Sequence, residues 1–176
     1  MNSFPGLLGQ IPPAGAYTVL AAAIIAESIL LVGAVIPTLA LMLTAGALAR
    51  TGSMNLWWII AVAAGAVMIG DALGHRTGHL LGNRLRTGKL GRRIPASAWQ
   101  RAETLMNKRA GQILLIFRFV PVMRTLAPHL AGVVGLPYRQ IAPYSALASV
   151  AWASAESGAG YTAAFSLQHI SAIGGP

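Results

Sequence analysis

Residues 111–136, GQILLIFRFVPVMRTLAPHLAGVVGL, constrain this chain more than any other stretch. The run is largely apolar yet carries Arg118, Arg124 and His129, and Pro121 and Pro128 break it. A soluble core does not accommodate two unpaired guanidinium groups, and neither does a plain transmembrane helix. One architecture reconciles the pattern over residues 112–136: a re-entrant hairpin, two half-helices that enter and leave a membrane from the same side. Non-helical backbone at membrane depth is tolerated only where protein or a wet cavity shields it.

Composition agrees with a membrane setting. The chain has 176 residues, of which 55% are hydrophobic and 10% charged, with a mean hydropathy of +0.62. Soluble domains carry about 25% charged residues. The apolar residues lie in long runs divided by short polar breaks, the pattern of a multi-pass integral membrane protein. The formal charge of +9 is not spread over the chain, since nine of the 13 Lys and Arg residues fall between Arg76 and Arg109. Such a cluster marks a cytoplasmic segment and not a nucleic-acid surface, for which interleaved aromatic residues are missing. There are no cysteines, which excludes disulfides and thiolate metal sites. The N-terminal MNSFPGLLGQIPPAG has no basic start, so it does not read as a cleaved signal peptide.

About 20 helical residues cross a bilayer core. Residues 56–74 fit one span, with Trp57 and Trp58 at an interface. Residues 18–49 are too long for one ordinary span and too short for two with a turn. Pro37 interrupts them and Glu27 lies inside. This predicts another re-entrant hairpin, with a long tilted helix kinked at Pro37 as the alternative. Residues 138–165 predict a last span. Residues 75–111 predict a cytoplasmic basic loop. Within it, residues 96–110 set Trp99, Ala102, Leu105 and Met106 at helical spacing against Arg101, Lys108 and Arg109, an amphipathic interfacial helix. The expected fold is therefore an all-α integral membrane protein in one domain. Two re-entrant hairpins face each other, beside transmembrane helices, as in an internal repeat with a site between its halves.

Ionisable residues inside a membrane are costly and tend to be functional. On an unbroken helix, Arg118 and Arg124 would stand about 240° apart. The break at Pro121 lets both turn toward one cavity, where two guanidinium groups suit a phosphate. They can equally pair with Glu27 and Asp71 as structural ion pairs, and both readings can hold at once. Glu27 is placed to bind substrate or carry a proton, or else to bond a carbonyl freed near Pro37. Glu156 lies in the last span or near its interface. Asp71, His75 and His79 share one helical face, a spacing that can present metal ligands. But Gly70, Gly74, Gly78 and Gly82 recur every four residues, which favours a glycine ridge for close helix packing. No metal site, cofactor or enzymatic constellation is expected.

These blocks resemble the DedA family of small bacterial membrane proteins, related to the eukaryotic VTT (SNARE-associated) proteins. The likeness rests first on Glu27 followed by GAVIP and LTAGALA. It continues in GDALGHRTG, where His75 stands for a tyrosine. Its most specific part is FRFVPVMRTLAPHLAG with Gly132, followed by Tyr138 or Tyr144, Trp152, and Gly160-Tyr161. The resemblance implies two facing re-entrant hairpins in the bacterial cytoplasmic membrane. It also implies transport of an anionic lipid between leaflets, undecaprenyl phosphate or a phospholipid. Arg118, Arg124 and Glu27 would hold the headgroup, with Glu27 and Asp71 in proton coupling. Family members often carry a second acid after the hairpin proline, where this chain reads Pro37-Thr38-Leu39. The chain also ends soon after Tyr161, without the further span of many members. That would set the C-terminus outside or leave a face for a second copy, as in a homodimer. The other functions to weigh are a proton-coupled cation antiporter using Glu27 and Asp71, a phospholipid scramblase and a non-transporting assembly factor.

The orientation is directly testable. With the basic segment cytoplasmic, Ser97→Cys is shielded from a membrane-impermeant thiol reagent in intact cells and reacts once they are permeabilised. Labelling of intact cells reverses the orientation.

Overall fold

The computed structural model describes residues 12–30, 38–88 and 95–173. All its elements are helices: α1 (Pro13–Leu30), α2 (Thr38–Arg50), α3 (Leu56–Thr87), α4 (Ala96–Phe117), α5 (Pro121–Val133) and α6 (Tyr138–Ile173). No strand occurs among the described residues. Pro37 and the turn expected around it lie outside them.

Local chemistry sets the helix ends. Asn55 caps α3, its side-chain oxygen accepting from Trp57 N at 2.9 Å and Trp58 N at 3.3 Å. Pro121 opens α5, a position where its missing N–H costs nothing. Both short helices, α2 and α5, have 13 residues. Both end in the same glycine cap. Gly52 (φ +82°) and Gly135 (φ +76°) adopt the left-handed conformation that ends a helix. Ser53 N then reaches Leu48 O at 3.0 Å, and Leu136 N reaches Ala131 O at 3.0 Å. After each cap the chain turns into a long helix, α3 or α6. Arg109 (φ −140°, ψ 24°) breaks α4 near Gly111, against which the Tyr144 ring lies where a side chain would otherwise stand. The chain thus repeats one plan: a first limb, a 13-residue helix and a long helix.

The two halves are packed crosswise. α5 lies along α3, and α2 along α6, so each short helix rests mainly on the long helix of the other half. α1 and α4 rest on the long helices of their own halves, and α3 meets α6. Bare backbone makes the cross-packing close. A Cβ at Gly78 would overlap the His129 carbonyl, and one at Gly132 the His75 carbonyl. At Gly82 it would come within 3.2 Å of Val133 Cα. Gly46 and Gly160 make the matching seam of α2 with α6, against the Ser157 and Leu43 carbonyls. The expected ridge on α3 is therefore present, although Gly70 faces Ser28 of α1 and only Gly74, Gly78 and Gly82 face α5.

Contacts along α3 fix how deep each limb reaches. Tyr17 near the start of α1 bonds Asn55, while Ser28 near its end meets Gly70, mid-way along α3. α2 then returns toward the turn before Asn55. From the other end, Val133 meets Gly82 and Arg118 meets Asp71. The α1–α2 pair and the α4–α5 pair thus approach from opposite ends of α3, and the ends of α1 and α4 both reach its middle.

Several expected boundaries shift. The span placed at 56–74 continues to Thr87, so residues 75–87 are helix and not loop; Gly78 and Gly82 hold that extension against α5. The helix expected at 96–110 is joined to the first limb of the second pair within α4, with a kink at Arg109 between them. Within it Met106 is buried and Leu105 faces outward. The last helix runs on to Ile173. Leu56–Gly82 is the one described stretch both long and apolar enough to cross a membrane. Large apolar side chains stand outward on several helices, among them Trp57 (77% exposed), Leu80 (72%), Ile116 (66%) and Leu147 (61%). An outward surface of this kind suits lipid contact.

The glycine seam yields a graded prediction. Gly78→Ala drives a methyl group into a backbone carbonyl that cannot rotate away. It lowers folded yield in detergent and the melting temperature, and Gly74→Leu does the same by displacing the His129 ring. Gly65→Ala, with nothing within 4 Å of the added methyl, leaves both unchanged in the same thermal scan.

Candidate functional site

The interior charges gather beside the middle of α3, where the end of α1, the start of α2 and the break between α4 and α5 come together. Arg118 follows the last turn of α4, and Arg124 lies in the first turn of α5. The three-residue break between the helices turns both side chains to the same side, as Pro121 led one to expect. Each finds one acid. Arg118 Nη1 donates to Asp71 Oδ1 at 3.1 Å and Oδ2 at 3.3 Å. Arg124 Nη2 donates to Glu27 Oε1 and to Thr38 Oγ1, the latter at 2.7 Å. Ser145 of α6 donates to Asp71 Oδ2. Arg118, Asp71 and Glu27 are each at most 6% exposed.

Buried ions cost several kcal/mol each in desolvation, a cost that close pairing and added hydrogen bonds offset. Here each carboxylate has a guanidinium, and a hydroxyl completes each pair. Trp152 closes the group from α6. The Arg118 and Arg124 guanidinium carbons lie 5.7 and 5.4 Å from its ring centre, within range of cation–π attraction. Its indole N–H donates to Glu156 Oε1 at 2.6 Å. Ile24, Glu27, Ser28, Val67, Arg118, Arg124, Thr125 and Trp152 line a small cavity of about 10 Å³, room for about one water molecule. Arg118 Nε faces no acceptor among the described residues, so part of its donor fork is unused.

Sequence reasoning placed Arg118, Arg124, Glu27 and Asp71 correctly inside the fold, and the structure unites all four. It could not tell which acid each arginine takes. It passed over Thr38 and Ser145, short hydroxyl residues whose partners lie 86 and 74 residues away in the chain. Glu156, set aside as a possible interface residue, reaches the cluster through Trp152.

Asp71 and His75, which share one face of α3 with His79, have partners within the fold. Asp71 is taken by Arg118, and His75 Nε2 contacts Leu136 O at 2.7 Å. No group of three possible ligands forms among the described residues. His129, a third polar group in the second hairpin, sets Nδ1 on Thr125 O at 2.7 Å and presses its ring against Gly74. Away from the cluster, Arg50 at the end of α2 donates to Tyr161 Oη at 3.3 Å and lies over the Phe165 ring.

Comparison with known proteins places these features in a wider group. Residues 36–162 match the VTT domain family. The chain is 29% identical to Protein DedA of Escherichia coli (strain K12) over 147 residues, 82% of this chain and 67% of that protein. It is 32% identical to inner membrane protein YghB of the same organism over 145 residues, 82% of this chain and 66% of the relative. With inner membrane protein YqjA of that strain it shares 29% identity over 148 residues, 84% of this chain and 65% of the relative. The aligned region thus spans about two-thirds of the length of these relatives. No solved structure matches.

The ion pairs predict a thermodynamic cycle. Asp71→Asn strands the Arg118 charge in the interior and lowers stability by about 3–5 kcal/mol. Adding Arg118→Met removes that charge and restores much of the loss. Denaturation in mixed micelles measures the coupling, and additive losses show that the two residues do not act as a pair.

Proposed function

The chain belongs to the DedA family of VTT-domain membrane proteins, and from that membership and its central charge cluster we propose that it moves an anionic lipid across the bacterial inner membrane. The observation that carries this reading is the convergence of Arg118 and Arg124 on one cavity, beside the middle of α3. With α3 crossing the bilayer, both tips lie near mid-membrane and both helix pairs are re-entrant. Two relatives are named inner membrane proteins, which supports the location.

The physical problem in lipid transfer is the headgroup, because a phosphate pays a large desolvation cost in hydrocarbon while its tail pays none. Two guanidinium groups half-way across lower that cost. A phosphate binds there by replacing Glu27 on Arg124 and by using the free Nε of Arg118. The planar fork of arginine matches two phosphate oxygens. Glu27 and Asp71 keep the arginines satisfied while the site is empty, so the structural and functional readings of the pairs describe two stages of one cycle. The tail remains in lipid, and the lipid leaves chemically unchanged, so this is transport and not catalysis. Undecaprenyl phosphate is the cargo that the family resemblance favours, with a phospholipid next. A cation antiporter is less well served, because both acids that would hold a cation already hold a guanidinium.

Reconstitution in liposomes with labelled undecaprenyl phosphate, with and without a pH gradient, tests the proposal. Wild-type protein accelerates translocation. Arg124→Ala abolishes it in protein that is still monodisperse, and Arg124→Lys recovers only part, since charge returns without the fork. Wild-type rates in Arg124→Ala, scored per folded molecule, overturn the headgroup mechanism.

A further inference from the structure

The interior cluster holds one acid more than it can neutralise. Arg118 and Arg124 supply two positive charges. Asp71, Glu27 and Glu156 supply three carboxyl groups. Asp71 has Arg118 and Ser145, and Glu27 has Arg124. Glu156 has an indole N–H on Oε1, and its Oε2 is buried with no hydrogen-bond partner among the described residues. The charged groups acting on it are Arg124 of α5, Glu27 of α1 and Arg118 at the end of α4. Asp71 of α3 is turned to Arg118 and to Ser145, about three turns before Glu156 on α6.

A bare carboxylate oxygen buried without a donor is a costly arrangement. A protonated carboxyl needs no counter-charge, and its carbonyl oxygen still accepts from the indole. We infer that Glu156 is the proton-holding residue of this cluster, and that an anion on the two arginines binds together with the Glu156 proton. Resting on the headgroup reading above, this gives that site a coupling residue. The sign follows from charge alone. An anion beside Trp152 adds negative charge near Glu156 and favours its protonated form. By reciprocity, loss of the proton weakens the anion. Trp152 links the two events physically, since its ring faces both guanidinium groups and its N–H holds Glu156.

Glu156→Gln is the matching variant. It keeps the oxygen that accepts from the indole and fixes the neutral state. Two measurements on full-length protein in detergent are decisive. The first is infrared spectroscopy without ligand. Wild type at neutral pH shows a protonated-carboxyl C=O band that is lost in Glu156→Gln and kept in Glu27→Gln. A wild-type spectrum without the band, or one unchanged in Glu156→Gln, overturns the assignment.

The second is calorimetric titration with farnesyl phosphate across mildly acidic to alkaline pH. The ligand's own ionisation is common to both proteins and drops out of their ratio. Wild-type affinity falls relative to Glu156→Gln as pH rises, by up to about tenfold per pH unit once Glu156 ionises. Proton uptake in excess of the variant's accompanies wild-type binding. A ratio that stays constant with pH overturns the coupling and leaves the headgroup reading intact. If the infrared band belongs to Glu156 but farnesyl phosphate does not bind wild type, the proton assignment is supported and the headgroup reading fails.

Discussion

Two ion pairs, Arg118 with Asp71 and Arg124 with Glu27, hold this fold at its centre. Each pair joins elements that have little else in common. Arg124 ties the tip of the second hairpin to the last turn of α1 and the first residue of α2. Arg118 ties it to the middle of α3. The apolar faces of these helices determine which sides pack, but hydrocarbon contacts are non-directional. Directional charge pairs fix where along α3 the tips stop. The same pairing that fixes depth also leaves two guanidinium groups lining one cavity, so the structural device and the candidate binding site share their atoms.

Around that centre the fold solves one problem twice. A 13-residue helix is too short to cross a bilayer, at about 20 Å. It therefore needs a neighbour against which to hide. α5 finds α3 and α2 finds α6, each through glycines that let backbone meet backbone. The glycine caps at Gly52 and Gly135 then turn each short helix into the long helix of its own half. Crosswise packing makes the two halves one body and brings Glu27 and Arg124 together.

Much of this was readable from residue order, and what was not has a physical explanation. The proline break at Pro121, the four charged residues and the four-residue glycine period are local patterns, and each reappears in the structure. The end of α3 was misjudged because His75, Arg76 and His79 lower its hydropathy. Its helical state there depends on packing against α5, which no window on α3 contains. The second seam, Gly46 with Ser157 and Gly160 with Leu43, has a weaker period and went unseen. The glycine caps did leave a signal in ARTG and VVGL, each a glycine just past the end of a largely apolar helical run. The choice of acid for each arginine had none, because it is decided by how far each limb travels along α3.

The crosswise arrangement also bears on biosynthesis. Glu27 and its partner Arg124 are separated by 97 residues of chain. At about 5–20 residues per second, the ribosome needs roughly 5–20 s to make that distance. Throughout that interval α1 and α2 exist without Arg124 to meet Glu27 and without α6 to cover α2. The nascent first half must be accommodated with its acid neutral, hydrated or shielded by another protein. Membrane insertion of this chain is thus a waiting process, completed only when its second half arrives.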